Sequence, residues 1–280
     1  MTPPIVITVR APDGPGLVAD IAGAVASIGG NIIDVGQHSD QATTGFGCRL
    51  EVDPTVDPAD LGIRFAEVAQ RRHLTFEIHD PEVRPRVVIA CSKTLHCVSE
   101  LLSRVSLGEL DCEVVGIVSD RTDAAEVSDR YGITLTHLPV GADRRDQEAA
   151  FAQSLDGFAP DLVVLARYMR ILPANIAETW AGRMINIHHS FLPAFPGAGP
   201  YAQAHDRGVK LIGATAHYVT SGLDEGPIIA QDVARVSHRD TIADLVRRGA
   251  DIERSVLSTG VRLHLEHRVM VFENRTCIFD

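Results

Sequence analysis

The sequence predicts a two-domain α/β chain: a ferredoxin-like βαββαβ domain over residues 1-80, a linker over 81-85, and a doubly wound, Rossmann-like domain over 86-280. Three observations predict it. The first 80 residues alternate strand-like and helix-like patterns in β-α-β-β-α-β order. Asp80-Pro81-Glu82-Val83-Arg84-Pro85 then sets two prolines among charges, as a linker does. Beyond it, continuous apolar runs are separated by helical patterns, as expected of parallel strands covered on both faces.

In the first domain, residues 4–10 (PIVITVR) are β-rich, and Asp13-Gly14-Pro15-Gly16 turns the chain into a helix carrying Leu17, Ile21, Val25 and Ile28 on one face. Gly29-Gly30 stops that helix. Residues 31–38 read as a second strand, and residues 45–53 alternate through Phe46, Cys48, Leu50 and Val52 as a third. Asp57 is placed to cap a second helix, with Pro58 at its first position and Leu61, Phe65 and Val68 as its buried stripe; Leu74, Phe76 and Ile78 form the fourth strand. In the second domain Val87–Ala90, Val114–Val118 and Leu162–Leu165 are the continuous apolar strands. A long helix is expected after Asp240, then a hairpin over 268–279 turned at Asn274-Arg275.

Composition excludes several function classes. Twenty-six basic and 37 acidic residues give a net charge of −11, which argues against a sequence-independent grip on nucleic acid. Arg71-Arg72, Arg144-Arg145 and Arg247-Arg248 read as solvated helix faces. No apolar run approaches the roughly 20 residues of a membrane span, and the N-terminus lacks a basic segment leading into an apolar core, so a cytoplasmic protein is expected. Five cysteines, odd in number and without CxxC spacing, suggest neither a disulfide framework nor a zinc site. His188-His189 lacks an HExxH helix, and no metal is expected.

Chemistry concentrates between Met184 and Asp232. Met184-Ile185-Asn186-Ile187-His188 alternates as a strand, so Asn186 and His188 share one face at the strand end, where an open α/β sheet places its ligand crevice. A second strand, 211–219, leads into Thr220-Ser221-Gly222-Leu223-Asp224-Glu225-Gly226-Pro227. An amide, an imidazole and a carboxylate thus become available on neighbouring loops, the kit acyl chemistry needs. By spacing alone, a histidine in an apolar setting is more often a hydrogen-bonded core residue.

Four blocks change that balance. Asn186-x-His188, Ser190-Phe191-Leu192-Pro193, Gly213-Ala214-Thr215-Ala216-His217-Tyr218-Val219 and Leu223-Asp224-x-Gly226-Pro227-Ile228-Ile229 resemble, in order, the signature of the folate-dependent formyltransferase superfamily. The doubled Asn-Ile-His-His-Ser-Phe-Leu-Pro form is most similar to its formyltetrahydrofolate deformylase branch. The resemblance implies catalysis by Asn186, His188 and Asp224. It implies a folate pocket at Met169, Arg170, Ile171 and Leu172, with His217 and Val219 beside the substrate. Glu225 is expected to face away. The implied reaction is hydrolysis of 10-formyltetrahydrofolate to tetrahydrofolate and formate, balancing one-carbon folates and supplying formate for purine biosynthesis, with folate as substrate and no cofactor. Formyl transfer to a small amine, or a non-catalytic folate- or amino-acid-binding regulator, are the alternatives.

Two loops bear on the branch. Cys91-Ser92-Lys93-Thr94-Leu95-His96-Cys97 has no glycine with which backbone could approach a phosphorylated acceptor, although Lys93 and a helix N-terminus could hold an anion. Pro196-Gly197-Ala198-Gly199-Pro200-Tyr201 carries Gly199 where the deformylase pattern has a basic residue. That departure leaves the core reaction alone and bears on a contact to an anionic part of substrate or to formate.

The first domain, with its Asp-x-x-Gly turn and Gly-x-Asn at the second strand, resembles the ACT family of small regulatory domains. This implies an amino-acid effector near Asp13, Gly16 and Asn31, and a homo-oligomer is expected. Gly16 and Gly30 read equally as turn glycines in a domain that only pairs subunits.

Overall fold

The computed structural model describes residues 3–141, 144–194 and 199–280, the side chain of Arg144 excepted. The chain divides into two compact units, Met1–Arg84 with Glu266–Asp280, and Pro85–Leu265.

The first unit runs β1 (Ile5–Pro12), α1 (Leu17–Ala26), β2 (Ile32–Asp40), β3 (Gly45–Val52), α2 (Pro58–Arg72) and β4 (Thr75–His79). Its strands pair antiparallel in the order β2-β3-β1-β4. Alternate residues Ile5, Ile7 and Val9 of β1 meet Leu17, Ile21, Val25, Leu61 and Phe65 of the helices in one core, the βαββαβ layering expected. Asp57 caps α2 by accepting from Ala59 N at 2.8 Å.

The second unit continues with β5 (Arg86–Cys91), α3 (His96–Ser106), β6 (Glu113–Ser119), a single 3-10 turn at Thr122–Ala124, α4 (Ala125–Tyr131), β7 (Leu135–His137), α5 (Arg144–Phe158), β8 (Leu162–Ala166), α6 (Ala174–Thr179), β9 (Met184–His188), α7 (Pro200–Asp206), β10 (Leu211–Tyr218), β11 (Ile228–Arg235) and α8 (Ile242–Leu265). The seven strands lie in the order β11-β10-β9-β8-β5-β6-β7. From β7 to β9 the pairing is parallel, whereas β10 and β11 join antiparallel, so the expected parallel sheet is mixed at one side. All five residues of β8 are buried, as the continuous apolar pattern requires of a strand covered on both faces. No described helix is long and apolar enough to cross a membrane.

One expected boundary is corrected. β12 (Val269–Phe272) and β13 (Arg275–Ile278) form a hairpin turned one residue earlier than expected, at Glu273-Asn274, and it packs with the first unit instead of extending the second. Glycines in the sheet make room for it: a Cβ on Gly47 would lie 2.8 Å from Phe272, and one on Gly36 would lie 2.8 Å from Phe279. Arg275 closes the contact on Asp40 at 2.9 Å, and the buried Arg49 donates to Glu266 O at 3.0 Å.

Candidate active site

Asn186 and His188 end β9, and the β9–β10 register sets His217 directly opposite Asn186 and Thr215 opposite His188. Cross-strand pairs on one face are neighbours, so strand alternation and register bring four polar side chains together, those of Asn186, His188, Thr215 and His217. Thr215, fully buried, donates to Ser190 O at 3.0 Å and accepts from Leu192 N at 3.1 Å, which pins the chain as it leaves His188.

Asp224 arrives from the loop between β10 and β11. That loop folds back over the end of β10, where a Cβ on Gly226 would lie 1.8 Å from Tyr218 O, so only glycine fits there. Asp224 itself is left-handed at φ 56°, a conformation aspartate tolerates better than most residues. Its Oδ2 lies 3.1 Å from His188 Nδ1, and its Oδ1 lies 3.5 Å from Asn186 Nδ2 and 3.6 Å from His217 Nε2. Burial works against the charge on Asp224, but the hydrogen bond from His188 outweighs it and holds the carboxyl well below its usual range.

The proton positions follow from the partners. His217 Nδ1 lies 2.9 Å from Tyr218 O, a group that only accepts, so Nδ1 carries the proton and Nε2 is left to accept from Asn186 Nδ2 at 3.2 Å. The amide of Asn186 is thereby turned with Nδ2 toward His217 and Asp224. Donation to a substrate oxygen requires exchanging the long 3.5 Å contact. With Nδ1 of His188 facing Asp224, its Nε2 is buried and has no hydrogen-bond partner among the described residues. A buried polar atom left so costs about 1–3 kcal/mol.

The other residues singled out in the sequence fall in two places. Met169, Arg170, Ile171 and Leu172 line a cleft of about 430 Å³ together with Asp120, Gln147, Phe151 and Tyr168. Met169 and Ile171 are exposed, while Arg170 Nε donates to Asp120 Oδ2 at 3.2 Å and a second nitrogen bonds Gln147. Val219 N donates to Met184 O at 2.9 Å, holding the start of the Asp224 loop against β9. Glu225 is exposed, as expected. Of the Pro196–Tyr201 loop, residues 196–198 lie outside the described residues; Gly199 is left-handed at φ 67° and exposed at the start of α7.

In the first unit the three effector candidates do not converge. Asp13 and Gly16 follow the end of β1 that pairs with Gly45, whereas Asn31 precedes the end of β2 that pairs with Val52. Seven strand residues, roughly 23 Å, separate the two ends. The reason is topological: α1 carries the chain back along the sheet, so β2 starts level with the beginning of β1.

Sequence reading missed a second buried group in the catalytic unit. Glu253 on α8 meets His96 at 2.8 Å, Tyr201 at 2.6 Å and Arg167 at 3.4 Å. A carboxylate at helical spacing within the buried stripe Leu245, Gly249, Ile252, Val256 and Gly260 was the signal that could have found it. His96, Cys97 and Glu253 bring potential ligand atoms within 4.8 Å of one another. The donor set does not suit a cation: Arg167 already sits on Glu253, and burial pushes the Cys97 thiol up, away from the thiolate a metal needs.

His189 lies between the two groups, its ring 5.3 Å from that of His188 and 6.1 Å from that of Tyr201. Burial, Arg167 and His188 together push it down to about 4, so it stays neutral in the folded protein. Because the unfolded chain binds that proton near the ordinary histidine value, the contribution of His189 is fully present above about pH 6.5 and is lost as pH falls toward 4, by up to about 3 kcal/mol. Urea unfolding of His189→Asn is expected to show a flatter pH dependence across that window than wild type; an unchanged slope would assign the loss to other groups.

Comparison with known proteins matches both units to known families. A formyl transferase model matches residues 85–261, and an ACT domain model matches residues 3–79. Fold and site thus define a formyl transferase-type catalytic unit joined to an ACT unit. A formyltetrahydrofolate deformylase of Synechocystis is 45% identical, with 98% of this chain and 97% of that protein covered. The crystal structure of a formyltetrahydrofolate deformylase from Pseudomonas syringae superposes at TM-score 0.97 and 41% identity, covering 100% of this chain and 95% of that one. A glycinamide ribonucleotide transformylase from Symbiobacterium toebii shares only the catalytic part, at TM-score 0.67 and 34% identity over 70% of this chain and 95% of its own. The chain belongs to the formyltetrahydrofolate deformylase family.

Proposed function

We propose that the protein hydrolyses 10-formyltetrahydrofolate to tetrahydrofolate and formate, with Asn186, His188 and Asp224 as the catalytic group. The observation that carries the reading is the buried Nε2 of His188, without a hydrogen-bond partner among the described residues and backed by Asp224 at 3.1 Å on the opposite ring nitrogen. A carboxylate held below its usual range remains charged and orients the imidazole, so Asp224 is a poor resting place for a proton. His188 Nε2 takes a proton from the attacking water as its oxygen bonds the formyl carbon. The same nitrogen returns the proton to N10 as the C–N bond breaks. Asn186, released from its long contact to Asp224, donates to the oxygen that becomes negative. No redox change or cofactor enters this balance.

The cleft at Met169–Leu172 is the proposed folate pocket, with Met169 and Ile171 offering apolar surface and Arg170 fixed by Asp120. His217 acts by setting the Asn186 amide, and Val219 by anchoring the Asp224 loop. An amino-acid effector is proposed for the ACT unit. Because Asp13 and Gly16 stand at the far end of the sheet from Asn31, all three can share one ligand only across two chains, which ties effector binding to a homo-oligomer. A cytoplasmic setting suits the free thiols of all five cysteines.

The reading is tested by supplying 10-formyltetrahydrofolate to purified protein without any amine. Stoichiometric formate and tetrahydrofolate are expected. Turnover that begins only when an amine is added would replace hydrolysis with transfer, and folate binding without turnover would leave a regulator.

A further inference from the structure

The winding of the larger sheet reverses between β5 and β8: the chain builds outward from β5 to β6 and β7, then crosses to β8 and β9. Open α/β sheets take ligands in the crevice outside the carboxyl ends of the strands at that switch point. Here the ends are the loop between β5 and α3 and the residue after β8. Four side chains meet at these ends, with Glu253 at their centre. His96 begins α3, Arg167 follows β8, Tyr201 lies on α7 and Glu253 on α8. Glu253 is only 2% exposed; one oxygen accepts from Tyr201, while the other lies 2.8 Å from His96 Nε2 and 3.4 Å from Arg167 Nε.

Three details mark the group as built. Arg167 holds a left-handed backbone at φ 63°, uncommon for a residue with a long side chain. Its Nε and Nη1 are buried without hydrogen-bond partners among the described residues. Gly249, one turn before Glu253, admits the Tyr201 hydroxyl, which a Cβ there would meet at 2.0 Å. None of these residues takes part in the proton transfers proposed above, yet His189 connects them to His188 through ring contacts on both sides.

We propose that His96, Arg167, Tyr201 and Glu253 form an internal plug that sets acceptor specificity, occupying the crevice beside the formyl carbon so that water enters and an amine does not. The inference rests on the hydrolase reading and deepens it. An amine acceptor would form a new C–N bond to the formyl carbon while the bond to N10 breaks, its displaced proton passing to N10. Such an acceptor needs volume for its own substituents next to His188. To gain it, the acceptor must push aside a carboxylate that is buried and bonded on both oxygens, leaving Glu253 or Arg167 uncompensated. Water needs no such displacement.

The test is product partition with 10-formyltetrahydrofolate and increasing glycinamide as the probe amine. Wild type is expected to yield formate alone at every glycinamide concentration. Glu253→Ala and His96→Ala, which remove volume from the plug, are expected to divert at least a tenth of the formyl group to N-formylglycinamide, in a fraction that rises with glycinamide. Glu253→Gln keeps the volume and both hydrogen-bond partners and is expected to remain a hydrolase. His96 is partly exposed, so His96→Ala carries the test where Glu253→Ala does not fold. Formate as the sole product of the folded, active opened variants overturns the plug, as does equal transfer by wild type. Absence of amine-independent formate from wild type would instead fail the hydrolase reading itself.

Discussion

Asp224→Asn is expected to lower kcat for formate release by about 10²–10⁴-fold, the range typical of losing a proton-transfer partnership. The loss arises through His188. An asparagine amide can present its NH₂ toward His188 Nδ1, which turns the imidazole to place its proton on Nε2, the nitrogen that must accept one from water. It also removes the negative charge 3.1 Å away that stabilises the imidazolium as it forms. Folate binding should change little, because Asp224 acts on proton movement and the proposed ring pocket is lined by Met169–Leu172. Stopped-flow or steady-state assays of formate, beside a fluorescence titration of folate affinity, separate the two; a variant retaining more than a tenth of wild-type kcat would remove Asp224 from the chemistry.

His188→Asn should be nearly as costly, about 10²–10⁴-fold in kcat with KM within a few-fold. The buried Nε2 has no partner among the described residues, so its interaction is reserved for a group that the reaction brings. Stability makes this prediction distinctive. Removing a buried, unsatisfied nitrogen relieves a cost of about 1–3 kcal/mol, so the inactive variant should unfold no more easily than wild type, or less easily. Loss of both activity and stability would mark His188 as a core residue instead.

Much of this was legible in the sequence because it depends on short-range periodicity. Alternation in Met184–His188 put Asn186 and His188 on one face, and the Asp57-Pro58 pair fixed a helix start, as found. Strand β11 escaped because IIAQDVAR breaks alternation and lies half exposed at the sheet edge. The three-residue β7 is too short to show any period. Pairings across long separations were not readable either. The hairpin of Met270 and Phe272 docks more than 200 residues away in the chain, against notches left by Gly45 and Gly47. His96 and Glu253 meet across 157 residues, and only the charge set in an apolar helix stripe hinted at it. Asn31 was grouped with Asp13 and Gly16 by motif; strand register sends it to the opposite end of the sheet.

The central claim, water attacking the formyl carbon at the His188–Asp224 pair, is tested most directly by single-turnover hydrolysis in ¹⁸O-labelled water. The account predicts formate carrying one solvent oxygen, formed rapidly by wild type and about 10²–10⁴-fold more slowly by Asp224→Asn. Formate without solvent oxygen, or undiminished labelled formate from the variant, would contradict it.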